Sequence, residues 1–201
     1  MIDTTSLSAE DAVEECRRAE EAGGDVAWLH PGDLSAGALA EQLRRLDELA
    51  VPYTVTPGVP YAAAATAALG AGLSSSDMPS IALTGGIGPG WTVPAAETLQ
   101  ALARSGASLA VHLPAEAVSQ LVEALMPLHG GEVPVSVIDG LAGPSQQITR
   151  GTLATIVERI DPSVAERIVL VLVGKGHAAP EASHAPQPDA DRPRRHRRRG
   201  A

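Results

Sequence analysis

Two successive segments of this sequence share one order: an apolar run, a Pro-Gly turn and a helical pattern. The first begins at DVAWLH, turns at Pro31-Gly32 and continues into a Leu-rich stretch. The second begins at YTVT, turns at Pro57-Gly58 and continues into an Ala-rich stretch. Repeated strand, loop and helix units are typical of a parallel β-sheet covered by helices. The repetition therefore predicts an α/β fold.

Further elements are predicted on both sides of these units. Apolar residues at helical spacing behind a Ser8-x-x-Asp11 cap predict a helix over Ser8 to Ala22. Beyond residue 80, strands are predicted at IALT, SLAVHL, VPVSVI, QITRG and IVLVLV, and their close succession indicates a mixed sheet. Helices are predicted at about Tyr61 to Leu69, Val93 to Arg104, Ala115 to Leu128 and Leu153 to Ile160.

The order of these patterns divides the chain into three parts. We expect an N-terminal α/β domain over residues 1–79 and a C-terminal α/β domain over residues 80–175. The rest, residues 176–201, is Pro-rich, charged and poor in apolar residues, which predicts a disordered tail.

Composition limits the classes of protein that this chain could represent. Hydrophobic residues make up 44% of it but include no Phe, so the core must consist mainly of Ala, Val, Leu and Ile. No apolar run approaches the roughly 18 residues of a membrane helix, and the single Cys16 cannot form an internal disulfide. These features predict a cytoplasmic protein that does not enter a membrane.

Charge is distributed unevenly along the chain. Six of the 15 basic residues are arginines within the last ten positions, which leaves 9 basic against 21 acidic residues in residues 1–180. An acidic body does not attract nucleic acid as a whole. The composition therefore argues against binding of nucleic acid by the body of the chain. The Arg cluster leaves such binding open for the tail alone, with a solvated segment as the simpler interpretation.

The two Pro-Gly turns lie where α/β proteins bind ligands. Ligands of open α/β sheets sit beyond the carboxyl ends of strands, where loops expose backbone amides. Gly32 and Gly58 permit close approach of a ligand to the backbone, and Asp33 offers a carboxylate. Both turns are also common loop sequences, and Asp33 could simply cap the following helix.

Several segments, in the same order and at nearly the same spacing, carry a resemblance to a known family. They are IDTTSL, DVAWLHPGDLS, GALAEQLRRLDELAVPYTVTPGVP, AAAATAALG, QQITRGTLATI and LVLVG. From Ile2 to Gly174 the chain resembles the tetrapyrrole methylases, which transfer methyl groups from S-adenosylmethionine. The resemblance implies a two-domain fold with a mostly parallel N-terminal sheet and a mixed C-terminal sheet. The family's usual first strand and Gly-Pro-Gly loop have no counterpart, so the N-terminal sheet is expected to be incomplete.

The resemblance also implies where S-adenosylmethionine is held. The cofactor would lie between the two domains, with one set of contacts from each. The implied cofactor contacts are Pro31, Gly32, Asp33, Pro60, Tyr61, Leu113 and Leu141.

The substrate that the resemblance implies is a precorrin, an electron-rich macrocycle with many carboxylates, methylated at carbon during cobalamin biosynthesis by a homodimeric enzyme. Transfer of a sulfonium methyl depends mainly on proximity and exclusion of water, so no catalytic residue is assigned. His30 and His112 each end an apolar run near the expected cleft and are candidate substrate contacts, with a packed structural histidine as the alternative. The other histidines, His129, His177, His184 and His196, lack Cys or carboxylate companions at metal-ligand spacing, so no metal site is predicted.

Departures from the family pattern leave a second function open. The family's Thr-Arg is replaced by Thr84-Gly85, and a leucine, Leu141, stands where an alanine is usual. A missing arginine weakens binding of a polycarboxylate. The alternative is a noncatalytic member that binds a tetrapyrrole or a partner without transferring a methyl group.

Overall fold

The computed structural model describes residues 7–30, 39–84 and 95–178. Within these ranges the chain forms six α-helices and five β-strands. The helices are α1 (Ala9–Glu21), α2 (Ala40–Glu48), α3 (Tyr61–Leu69), α4 (Ala96–Arg104), α5 (Val118–His129) and α6 (Ile156–Arg159). The strands are β1 (Ile81–Thr84), β2 (Ser108–Pro114), β3 (Pro134–Asp139), β4 (Gln147–Thr152) and β5 (Ile168–Val173).

All five strands belong to one mixed sheet with the order β1-β2-β5-β3-β4. β1 and β2 are parallel, whereas β5 is antiparallel to both β2 and β3. β1, β2 and β3 therefore run in the same direction, and their carboxyl ends meet at one edge of the sheet. We call this edge the carboxyl edge.

Alternation along the strands gives the sheet two different faces. In β2, Leu109, Val111 and Leu113 belong to the large apolar core that includes residues of α4 and α5. Ala110 lies on the other face and packs in a smaller cluster with residues of α3. We call these the α5 face and the α3 face. Burial of both sets of side chains supplies the main favourable free energy of this layered fold.

The helix α3 lies flat on its face of the sheet because its residues are small. Ala65 is fully buried and, with Leu69, packs against Ala110, Leu170 and other apolar residues of the sheet. Gly70 ends the helix in the left-handed conformation with φ 66°, which glycine adopts without steric cost.

The first two helices form a small unit of their own. The Ser8 side chain accepts a hydrogen bond from the Asp11 N–H at 3.1 Å, so the predicted cap of α1 is confirmed. Val13 of α1 and Leu46 of α2 are buried together with Val51. Their apolar faces thus meet, as the helical spacing predicts.

The α/β class, the mixed sheet and all five of its predicted strands are confirmed. The helices predicted before residue 80 are confirmed as well, whereas α6 is shorter than its prediction and α5 begins with a 3₁₀ turn at Ala115–Ala117. None of the helices in the described ranges is both long and apolar enough to cross a membrane.

The predicted strands at DVAWLH and YTVT are wrong for this structure. Residues 24–30 and 51–60 have no regular secondary structure, and within the described ranges neither segment pairs with a strand. An apolar run becomes a strand only when a neighbour accepts its backbone hydrogen bonds. The N-terminal parallel sheet is therefore not formed by the described residues.

Candidate functional site

The carboxyl edge brings together two of the residue positions predicted to bind ligands. β2 reaches this edge through His112, and the N-terminus of α3 reaches it through Tyr61, because the two rings are in contact. Pro60 precedes the helix as its N-cap, with ψ 146° and no side-chain hydrogen bond to the first turn. The first backbone N–H groups of α3 are therefore available to an acceptor, and the helix dipole adds partial positive charge there.

The rings of Tyr61 and His112 form a T-shaped pair. Their centroids are 4.7 Å apart and the ring planes meet at 73°. Aromatic pairs favour this arrangement because the edge of one ring carries positive charge toward the face of the other. The contact restricts the orientation of the imidazole.

His112 carries a polar atom that its surroundings leave without a partner. Its Nε2 is shielded from solvent and has no hydrogen-bond partner in the part of the chain that the structure describes. Burial lowers the pKa of the imidazole below its usual 6.5, and burial raises the pKa of the Tyr61 phenol. Both groups are therefore neutral near pH 7, and Nε2 can accept or donate one hydrogen bond according to its tautomer.

Leu141 lies on the same face of the sheet, in the loop that follows β3. It is half-buried against the α3-face cluster, as Tyr61 is. Gly140 adopts φ 59° and Ala142 φ 63°, and the Ala142 N–H donates to Gln146 Oε1 at 2.9 Å. These two left-handed residues turn the chain sharply and hold Leu141 beside the sheet. Tyr61 contacts His112, and Leu141 packs on the same face of the sheet. We call these three residues the wall. It is mostly apolar, and His112 Nε2 is its shielded polar atom without a partner in the described ranges.

Leu113 is separated from this wall. It is the neighbour of His112 in β2, so its side chain points to the α5 face, where it is 2% exposed within the large core. The structure therefore brings Tyr61 and His112 into contact, places Leu141 on the same face, and leaves the Leu113 side chain on the opposite face.

His30 lies in a different cluster from His112. Its ring stacks at a tilt on Trp28, with centroids 5.0 Å apart, and Trp28 packs against the cluster of Val13, Leu46 and Val51. Burial lowers the pKa of His30 as well. The predicted cofactor residues Pro31, Gly32 and Asp33 follow it directly and lie outside the described residues.

An ion pair at the carboxyl edge was missed by the sequence analysis. The Arg167 guanidinium donates to Asp139 Oδ2 at 2.7 Å, joining the end of β3 to the residue before β5. A carboxylate at the end of an apolar strand is a recognisable signal for Asp139. Nothing local could have identified its partner, which lies 28 residues away.

A surface depression of about 380 Å³ lies at the opposite edge of the sheet, near the amino ends of β2 and β3. Lys175 pairs there with Asp77 at 2.9 Å, and Arg104 and His129 also line it. Tyr61, His112 and Leu141 are not part of it. His129 Nε2, like His112 Nε2, has no partner in the described ranges. The carboxyl edge remains the better candidate, because an oriented pair of rings lies there at residues predicted to bind ligands.

The arrangement suits binding and positioning more than covalent chemistry. Apolar side chains could enclose a heterocycle, and the imidazole could exchange one hydrogen bond or proton. No group of three or more His, Cys, Asp or Glu side chains suited to a metal ion occurs in residues 7–30, 39–84 and 95–178.

Comparison with known proteins shows which family the chain matches. Residues 3–157 match the family described as Tetrapyrrole (Corrin/Porphyrin) Methylases. A precorrin-4 C(11)-methyltransferase of Sinorhizobium sp. is 40% identical over 202 residues, which cover 100% of this chain and 80% of that protein.

Two solved structures show the same fold. A cobalt precorrin-4 methyltransferase superposes with a TM-score of 0.75 and 24% identity, covering 86% of this chain and 73% of that one. Uroporphyrin-III C-methyl transferase of Thermus thermophilus, solved with S-adenosyl homocysteine, gives a TM-score of 0.60 and 20% identity, covering 83% of this chain and 73% of that one. The resemblance stated from the sequence is thus confirmed, and the chain belongs to the tetrapyrrole methylase family.

Proposed function

We propose that this chain is an S-adenosylmethionine-dependent methyltransferase that methylates carbon 11 of precorrin-4, or of its cobalt form, in cobalamin biosynthesis. The observation that supports it most is the wall formed by Tyr61, His112 and Leu141 at the carboxyl edge. The 40% identity to the Sinorhizobium precorrin-4 C(11)-methyltransferase supports the specific substrate. It also favours the enzyme over the noncatalytic alternative.

The residues present fit a cofactor of this kind. S-adenosylmethionine supplies an electrophilic methyl group when it is bound. Tyr61 and Leu141 offer apolar surface for its adenine, and the free N–H groups at the start of α3 suit its carboxylate. Pro60 is the N-cap of α3, and its ring restricts the backbone at that helix start. Pro31, Gly32, Asp33 and Leu113 remain predicted contacts, and Leu113 would have to act through its backbone.

Binding and methyl transfer can be measured separately. We expect calorimetry with S-adenosylhomocysteine to show one site per chain, and labelled S-adenosylmethionine to transfer its methyl group to precorrin-4. Replacing Tyr61 with alanine should weaken cofactor binding about fivefold, because an aromatic contact contributes roughly 1 kcal/mol.

Tyr53 provides the matched control, because the chain has two tyrosines and this one is exposed. Tyr53→Ala should bind S-adenosylhomocysteine like the wild type. A folded protein that binds the cofactor and transfers no methyl group to either form of precorrin-4 would support the noncatalytic alternative. A folded protein that gives no heat with the cofactor would contradict the methyltransferase and favour the noncatalytic alternative.

We also propose that the protein acts as a homodimer in the cytoplasm. The single cysteine is compatible with a reducing compartment. The edge strand β1 exposes the large apolar side chains of Ile81 and Leu83, which a second copy could cover. Light scattering during size-exclusion chromatography should give twice the mass of one chain, and a monomer at all concentrations would contradict the dimer.

A further inference from the structure

Carbon methylation leaves a charge that the acceptor must lose. The ring carbon forms the new C–CH₃ bond with its own electron pair as the S–CH₃ bond breaks, and the sulfonium becomes a neutral thioether. The positive charge then resides on the tetrapyrrole as an iminium. It is neutralised when a proton leaves a ring N–H or C–H bond, and a positioned base accelerates that departure.

At the carboxyl edge, His112 has the properties of such a base. Its Nε2 is shielded and has no partner in the described ranges, and its ring is fixed against Tyr61 at a centroid distance of 4.7 Å. Its register partner in β5 is Leu170, which is apolar. The nitrogen is therefore not engaged by a hydrogen bond among the described residues. His129 and His177 also have unpartnered ring nitrogens there, and His112 differs from them in its contact with Tyr61 at the carboxyl edge.

We propose that His112 is the catalytic residue that accepts the proton released from the tetrapyrrole on methylation. This inference rests on the function proposed above. The proton moves from the substrate to His112 Nε2, the electron pair of the broken N–H or C–H bond neutralises the iminium, and the imidazolium later returns the proton to water.

The charges around His112 permit this role. Desolvation is the cause of its lowered pKa, and no charged neighbour contributes among the described residues. α3 presents the neutral phenol of Tyr61, and the loop after β3 presents the apolar Leu141. The ion pair of Asp139 and Arg167 lies at the same edge, but Asp139 alternates with Ile138 and points to the α5 face. The imidazole is thus neutral near pH 7 and able to take a proton.

A glutamine at position 112 tests the assignment, because it keeps a polar side chain of similar size that does not titrate. With precorrin-4 as substrate, we expect His112→Gln to lower kcat about 100-fold, a typical contribution of general base catalysis. Its affinity for S-adenosylhomocysteine should stay within about threefold of the wild type. The wild-type kcat should fall below pH 6.5 as the imidazole is protonated, and His112→Gln should lack this acid limb.

His129 supplies a matched control. It is a half-buried histidine in the last turn of α5, with a pKa that burial also lowers, and it lines the depression at the opposite edge. His129→Gln should keep the wild-type kcat and the acid limb. Thermal unfolding of both variants should show that they are folded at the assay temperature.

A spectroscopic measurement tests the same residue without turnover. NMR titration of the imidazole in the complex with S-adenosylhomocysteine should give a His112 pKa that matches the midpoint of the acid limb in kcat. A midpoint that differs by more than about one pH unit would contradict the proposal, since a unit corresponds to 1.36 kcal/mol.

Several kinetic outcomes would overturn the assignment of His112 as the base. A raised KM with unchanged kcat for His112→Gln would assign a substrate-binding role instead. A kcat within about threefold of the wild type, or an acid limb that persists, would exclude His112 as the base. In each of these outcomes, methyl transfer by the wild type would still support the methyltransferase function proposed above. Absence of transfer by the wild type itself would remove both proposals.

Discussion

At the scale of single residues, His177 stands out because it is 1% exposed and neither ring nitrogen has a hydrogen-bond partner in the described ranges. Burial, with the positive charge of Arg150 as a second cause, lowers its pKa from 6.5 to about 4. The folded protein thus prefers the neutral form. The stabilisation from this preference is complete above pH 6.5 and is lost as the pH falls toward 4.

Replacing His177 with leucine should remove this dependence on pH. Between pH 7.5 and pH 4.5 we expect the wild type to lose about 2 to 3 kcal/mol more free energy of unfolding than His177→Leu, from about 1.4 kcal/mol per unit of pKa shift. Urea denaturation at several pH values measures both proteins. If the free energy of unfolding changes with pH equally in the two proteins, protonation of His177 does not destabilise the folded state.

Single residues also show what the sequence could predict of the site. The resemblance pointed to Tyr61 and Leu141, and the end of an apolar run pointed to His112. The structure places Tyr61 against His112, with Leu141 on the same face of the sheet. The sequence could not predict the orientation of the Leu113 side chain. Adjacent residues of a strand point to opposite faces, and the sequence does not tell which face of β2 receives α3.

At the scale of elements, the contact between α3 and the sheet depends on small side chains. Ala65 is 0% exposed whereas Ala67, on the same helix, is exposed. Ala65→Val adds two methyl groups to a filled space and should lower the free energy of unfolding by about 1 to 3 kcal/mol. Ala67→Val carries the same penalty in helix propensity without the crowding, so it should cost about 0.5 kcal/mol. Equal costs in chemical denaturation would mean that α3 moves away from the sheet freely.

The turn after β5 is held against the segment after α3 by a glycine. A Cβ on Gly176 would lie 2.4 Å from the carbonyl carbon of Leu73, whereas a Cβ on Gly72 would meet Ser74 O only at 4.0 Å. Gly176→Ala should therefore lower the free energy of unfolding by about 2 kcal/mol or more, since the backbone must shift. Gly72→Ala is the control, for which urea denaturation should detect almost no loss. A tolerated Gly176→Ala would show that this turn is not tightly docked.

Some elements were predictable to the residue and others were not. α3, β1 and β5 have the predicted bounds, because turn residues flank short runs whose composition suits one structure. The apolar runs at residues 25–30 and 53–56 have equally good strand composition but form no strand. A strand depends on its hydrogen-bonded neighbour, which the composition of the run does not reveal.

At the scale of the whole molecule, the described chain combines a well-packed sheet with two segments, residues 24–30 and 51–60, that lack regular secondary structure and carry exposed apolar side chains. The sheet core buries both faces of β2, β3 and β5. In contrast, Leu29 is 86% exposed and Val59 is 65% exposed, within the segments that form no strand. Exposed apolar surface favours association with other apolar surfaces where it is contiguous.

These two side chains should therefore dominate the apolar surface that the folded protein presents. We expect the double variant Leu29→Glu/Val59→Glu to reduce binding of the dye ANS, because each charge disrupts apolar contact, and to leave the free energy of unfolding nearly unchanged. Leu128→Glu/Val157→Glu is the matched control, since those side chains are exposed by 40% and 44% on helices that pack on the sheet. An equal loss of ANS fluorescence in both double variants would show that exposed apolar surface is spread over the molecule. A loss confined to Leu29→Glu/Val59→Glu would locate the exposed apolar surface in the two segments without regular secondary structure.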